Sequence, residues 1–377
     1  MKRLIIFALS AILLAACQKE PTDVPQDVPQ DNSQDNSQDN SQDNNQDNNR
    51  TIYYTSTDRN IVTPYKTDGF NGVKIVSNVY ENGVGVITFS DDLTTIGLAA
   101  FGECKTLSSI KLPESVTTIK QSAFGLCENL TNIELPNSIT EIGPYAFKRC
   151  TALETITLPS NLMVIDRGTF ESCYALKHIE IPEGVVSINT SAFAWCNNLS
   201  SITIPDSVRS IGNQAFDSCE SLAEINLPEN LSSIGERCFD SCKSLRSIVI
   251  PDGVTSLEIC TFNFCTSLES VTLSKNLTEM GEYLFGECTS LREVTIPGFV
   301  SIIGHNAFYN CTNLESVYCK PANVPKADYY TNGKDYWNAF EGNAPERKIY
   351  VPTNAVESYK QADFWRDYAD DIVDGGF

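Results

Sequence analysis

The sequence predicts a β-rich solenoid: about ten coils of 23 residues stacked on one another, each giving a short parallel strand and a 3₁₀ or helical turn, with a β-rich cap at the N-terminal end and a capping unit at the C-terminal end. Three observations predict it. Cysteine recurs at 104, 127, 150, 173, 196, 219, 242, 265, 288 and 311 without insertion or deletion. Around each Cys the apolar residues keep one register: Phe three before (Phe101 to Phe308), Leu three after (Leu107 to Leu314), a β-branched residue three further on, then Leu or Ile two beyond until Cys319 breaks the series. Proline closes this segment in eight of the nine units from Pro113 to Pro297, Ser274 being the exception.

The chain starts with an address. Lys2 and Arg3 precede the apolar stretch Leu4 to Leu14, which is too short to span a bilayer, so residues 1–16 read as a secretion signal. Leu14-Ala15-Ala16-Cys17 resembles the lipobox of bacterial lipoproteins, which implies lipidation of Cys17 and anchoring through its acyl chains. Gln18-Lys19-Glu20 is similar to the polar signal that sends some anaerobes' lipoproteins to the outer face of the outer membrane. Residues 17–50 then carry repeated QDNS and QDNN units, with Asp at 23, 27, 31, 35, 39, 43 and 47. Having no aromatic and almost no aliphatic side chains to offset ordering entropy, this segment is expected to be a solvated tether. No other apolar stretch approaches the length needed to cross a bilayer, so the membrane is expected to be met only through the N-terminal lipid.

Residues 51–92 alternate apolar and polar side chains from Ile52 to Asp58 and from Val86 to Phe89, which fits a hairpin cap. The repeats occupy 93–319. Their I-x-[LI] segment has the period-2 pattern and β-branched stiffness of a parallel strand, and the following Pro, with no N–H to give, ends the ladder. A V-x2-I segment predicts a second short strand, and stretches such as Gly143 to Phe147 predict a turn that drops Phe into the core. No coil closes its own core, so stability is expected from the faces between neighbours. Residues 320–377 resemble the closing unit of repeat proteins of this kind, which implies a C-terminal capping unit with a last strand at Ile349-Tyr350-Val351 and a helix around Val356 to Lys360.

A fixed period of this length, built on L-x2-[IL]-x-L, marks a leucine-rich-repeat solenoid. The Phe, Cys, Leu, Ile and Pro positions from about Leu93 to Cys319 resemble those of the BspA-like leucine-rich repeat family, in its surface-lipoprotein form. The resemblance implies cell-surface proteins of anaerobic bacteria that bind host or neighbouring-cell surface proteins, with no catalytic activity assigned to the repeat. The implied location is the outer membrane at the cell surface.

The ladder cysteines lack C-x-x-C spacing and a second set of ligands, and neighbouring thiols would project in parallel, so neither a metal site nor a row of disulfides is expected. They read as buried free thiols bonded to a loop carbonyl. Cys238, Cys260 and Cys319 lie off the ladder, and their pairing is left open. No cofactor motif or nucleophilic constellation occurs, and His178 and His305 stand far apart in repeat register, so no enzyme is expected. The net charge of −21, from 48 acidic and 27 basic residues, argues against nucleic acid as a partner.

Binding is expected on the outward strand positions, a concave sheet carrying Lys111, Glu134, Thr157, His178, Glu180, Thr203, Asn226, Thr272, Thr295 and Tyr318. This face is rich in Thr and Ser and poor in the aromatic anchors of tight interfaces. The alternative is a surface glycan-capturing lipoprotein, with Tyr329, Tyr330, Tyr336 and Trp337 of a Gly/Asn-rich loop as a stacking platform.

Overall fold

The computed structural model describes residues 47–66, 69–327 and 339–377. Within them coils pair along three ladders, the turn ladder unbroken from Phe101 to Phe340 and the two strand ladders over parts of the stack. The first is the predicted I-x-[LI] strand: Ser109, Ile110 and Lys111 lie opposite Asn132, Ile133 and Glu134, one period on and parallel. The second is the V-x2-I segment, which forms two-residue strands such as Thr118–Ile119 and Glu141–Ile142. Between them Pro forms the corner, its carbonyl accepting a turn bond, as Val116 N donates to Pro113 O at 3.1 Å.

The third ladder is made of turns. In the coil of Phe101, the amides of Ala100, Gly102 and Cys104 donate to the carbonyls three residues back, as 3₁₀ turns do. The amides of Ala99, Phe101 and Glu103 instead donate to Gln121, Ala123 and Gly125 of the next coil. Alternate residues thus bond within the coil and between coils, and no 3₁₀ or α-helix develops in these turns. The alternation requires left-handed backbone at two places per coil, two before and two after the Phe: Ala99 and Glu103, Ser122 and Leu126, Tyr145 and Arg149, through to Asn306 and Asn310. Only Gly168 among these is a glycine. Left-handed backbone costs an ordinary residue about 1 kcal/mol, which the inter-coil bonds offset.

Side chains stack as the period requires. Phe101 to Phe308 form an unbroken column of nearly parallel rings with centroids 5.4–5.5 Å apart, and Phe340 adds one more rung at 5.4 Å. Phe170, Cys173 and Leu176 are wholly buried and Ile179 nearly so. At roughly 1.5–3 kcal/mol for each fully buried large apolar side chain, before entropy, these columns dominate the favourable side of folding. The strand ladders have gaps. In the first, Thr155 makes a single bridge to His178, 224–226 keeps Ile225 buried without pairing as a strand, and Ser270–Thr272 and Glu293–Ile296 fall in separate sheets. In the second, Glu141–Ile142 and Val164–Ile165 fall in separate sheets, as do Ser233–Ile234 and Ser256–Leu257.

Both ends carry a cap. β1 (Thr51–Ser56) runs antiparallel to Leu107–Lys111, the first strand of the stack, and on its other side to β3 (Val84–Phe89). β3 pairs in turn with β2 (Ile75–Glu81). The β2–β3 hairpin turns at Asn82 and Gly83, both left-handed, as a two-residue hairpin of the favoured hand demands. At the other end the strand ladder continues from Ser316–Cys319 to Lys348–Val351 and then Ile372–Asp374, a strand beyond the predicted helix. That helix, α1, spans Val356–Gln361. It buries Tyr359, whose hydroxyl donates to Pro321 O at 2.7 Å, while Trp365 Nε1 donates to Pro325 O at 2.9 Å.

Candidate binding surface

Alternation in the strands puts every second side chain outside. The predicted residues Lys111, Glu134, Thr157, Glu180, Thr203, Asn226, Thr272 and Thr295 are all exposed, and Tyr318 is half-buried. They lie in a single column at the spacing of the repeat, with Val249 between Asn226 and Thr272; His178 belongs to the neighbouring column, nearer the start of its strand. Lys111 Nζ meets Glu134 Oε2 at 2.9 Å. His178 Nδ1 lies 2.9 Å from Ser201 Oγ in the next coil, and its Nε2 lies 3.6 Å from Glu180 Oε1. Exposed pairs of this kind contribute little to stability, and they give the face a polar, hydrogen-bonding character. Cys17, Tyr329, Tyr330, Tyr336 and Trp337 lie outside the described residues.

The caps extend the column at both ends. Tyr53 lies across from Lys111 on one side and Val86 on the other, and Val86 lies across from Val79. Tyr53 and Val79 are 43 % and 46 % exposed, so the N-terminal end of the face is apolar. At the other end Tyr350 lies opposite Tyr318, their rings stacked at 4.9 Å. The sequence reading lacked Tyr53 and Tyr350 on this face, because their place depends on strand pairing outside the repeat period. Alternation alone does mark Tyr53 as outward, since Ile52 and Tyr54 beside it are buried. Beside the sheet, Glu269, Ser270, Arg292, Glu293, Glu315 and Ser316 line a polar cleft of about 780 Å³.

The ladder thiols face inward. Each donates to the carbonyl of the Phe one coil back, from Cys127 to Phe101 O at 3.0 Å through to Cys311 to Phe285 O at 3.0 Å. The first, Cys104, reaches Thr63 O of the N-terminal cap at 3.4 Å. Burial pushes the thiols up, Cys104 to about 11 and Cys173 to about 12, so they stand as neutral S–H groups at neutral pH. All thirteen cysteines from Cys104 to Cys319 are free. Cys238 fills an Ala site of the turn, Cys260 a left-handed turn position, and Cys319 lies 3.4 Å from the Tyr359 hydroxyl. No group of three or more His, Cys, Asp or Glu side chains arranged to hold a metal occurs among the described residues.

Short parallel strands recurring at one fixed period, most of them closed by Pro, with an inward Leu and Phe in each coil, define a leucine-rich-repeat solenoid. The chain belongs to the BspA type leucine rich repeat family, whose model matches residues 74–200 and 186–315 in six copies. Among solved structures it is similar to a leucine-rich repeat protein from Bacteroides ovatus, at 23 % identity, covering 79 % of this chain and 88 % of that one, with a TM-score of 0.48. It is also similar to a leucine rich cell surface protein from Faecalibacterium prausnitzii, at 23 % identity over 72 % and 90 % of the two chains, TM-score 0.42. The pneumococcal vaccine antigen PcpA matches at 16 % identity over 80 % and 86 %, TM-score 0.41. No curated protein sequence matches the chain.

Proposed function

We propose that this chain is a lipid-anchored surface scaffold without catalytic activity, which binds protein partners of a host or neighbouring cell through the outward face of its first strand ladder. One observation carries the reading: side chains from Tyr53 and Lys111 to Tyr318 and Tyr350 line one face at the repeat spacing, polar in the middle save for Val249 and aromatic at both ends. Interfaces take most of their energy from aromatic and Arg anchors surrounded by polar groups that fix register. A face with tyrosines at its two ends suits an elongated partner surface better than a small molecule. The basic and apolar n- and h-regions before Cys17 support the lipid anchor, and the acidic tether at 17–50 supports display away from the lipid.

The test is capture of intact host or neighbouring cells and of matrix proteins by the purified chain. Thr157→Arg combined with Thr203→Arg, both exposed and in mid-face, is expected to abolish capture while leaving the fold intact. Capture unchanged by this pair, or lost instead on Trp337→Ala with a glycan as the captured molecule, would contradict the reading. Protease shaving of whole cells tests the location, since a surface protein is digested and a periplasmic one is protected. Cys17→Ser is expected to release the protein from the membrane fraction.

A further inference from the structure

The N-terminal cap leaves one strand edge open. In the five-stranded sheet ordered β2-β3-β1 and then the strands at 107–111 and 132–134, β2 is the outermost member. It runs seven residues, Ile75–Glu81, longer than any strand of the repeats. Among the described residues, its backbone bonds only to β3. Natural edges are usually guarded by Lys, Pro, brevity or a bulge, of which this strand has only a single bulge near its start. The strand itself, IVSNVYE, holds no Lys and no Pro, and Val76 and Val79 stand 67 % and 46 % exposed on it.

The side chains of β2 have a definite orientation. Ile75 pairs with Phe89 and Ser77 with Thr88, so Val76 is an extra, bulged residue. Ile75, Asn78 and Tyr80 therefore face the core, Asn78 accepting from the Tyr54 hydroxyl at 2.8 Å, while Ser77, Val79 and Glu81 face out. We propose that two copies of this chain associate through β2, edge to edge and antiparallel about a two-fold axis at Asn78. Such an interface is self-complementary by symmetry. It sets Ser77 across from Val79 of the second copy and, with each bulge carried through, Ile75 across from Tyr80 and Lys74 across from Glu81. Lys74 and Glu81 are both exposed and of opposite sign, and the two-fold brings this pair together twice. The sheet would then run unbroken from one copy into the other, joining the two Tyr53–Val86–Val79 rows. The inference stands apart from the identity of any surface partner.

Sedimentation of the full chain over a hundredfold range of concentration tests it. A reversible monomer–dimer equilibrium is expected. Lys74→Glu alone or Glu81→Lys alone sets like charges opposite each other twice and is expected to weaken association severalfold, while the double reversal restores it. Val79→Lys is expected to leave a monomer with an unchanged melting temperature. A chain monomeric at every concentration would overturn the proposal, as would a dimer indifferent to both single reversals. Loss of surface-partner capture in Val79→Lys by a chain that is monomeric throughout would assign the edge to a strand of that partner instead.

Discussion

Cys173 donates its S–H to the carbonyl oxygen of Phe147, 3.2 Å away in the preceding coil. The same oxygen accepts the amide of Cys150 at 3.0 Å, so the sulfur supplies its second bond and ties one coil's turn to the next. A thiol suits this place because it fills volume as a small apolar group does while still donating. Cys173→Ala removes both, and it should lower stability by about 1–3 kcal/mol. Cys173→Ser, which keeps a donor, should lose less from the bond and more from desolvation. Denaturant midpoints for the two variants check this.

The buried thiols also make a prediction about pH. Their folded-state pKa values lie above the ordinary thiol value because burial disfavours the thiolate. The native state therefore keeps protons that the unfolded chain loses above about pH 8.5. Stability is expected to hold up to that point and then fall as pH rises towards 11. The fall should be steep, because ten ladder thiols contribute together. Urea midpoints from pH 7 to 11 read the slope; a flat profile would contradict burial of the column. A thiol reagent at pH 7.5 should likewise label Cys104 to Cys319 only after unfolding.

Asp240 works in the other pH range. Burial, with the like charge of Asp217 one coil back, pushes its carboxyl up to about 6, and Arg237 opposes the shift. The folded state holds this proton more tightly than the unfolded chain, so stability falls as pH rises from about 4 to about 6, and the full penalty is present at pH 7. Asp240→Asn, isosteric and uncharged, is therefore expected to stabilise the protein at pH 7 by roughly 1–3 kcal/mol. The two proteins should converge below pH 4. Melting curves at pH 4 and pH 7 decide it.

Phe170 lies between Phe147 and Phe193 at 5.5 and 5.4 Å. Phe170→Ala opens a cavity in the middle of the column, which neighbouring coils tied to each other by the turn ladder cannot close. A loss of about 3–5 kcal/mol is expected. Phe308→Ala, nearer the end, should cost less if the terminal coils relax, and hydrogen exchange in the two variants would locate the opening.

The period made the core legible: the Phe, Cys, Leu and Ile side chains assigned inward from spacing are inward, with Leu135, Ile204 and Leu227 at the rim of the core and only partly covered. The turns were less so. Their left-handed positions carry Ala99, Glu103, Trp195 and Gln214, residues with no preference for that conformation, because inter-coil hydrogen bonds and not side chains impose it. Phe340 was not readable as a rung, since the chain between it and Phe308 is longer than the period that separates Phe285 from Phe308. On the binding face, Lys111 to Tyr318 were readable from alternation, whereas Tyr53 and Tyr350 needed the cap pairings. The strand at Ile372–Asp374 carries no repeat signature; it forms because Ile372 lies opposite Ile349 at the open end of the ladder.

Removing a stretch from mid-stack tests the stacking most directly. Deleting one whole period, 171–193, should rejoin all three ladders in register and leave a cooperatively folded protein one coil shorter, with a modestly lower melting temperature. Deleting only half a period, 171–182, should instead turn apolar side chains outward and abolish the cooperative transition. If both deletions melted alike, coil-on-coil packing would not be what holds this chain together.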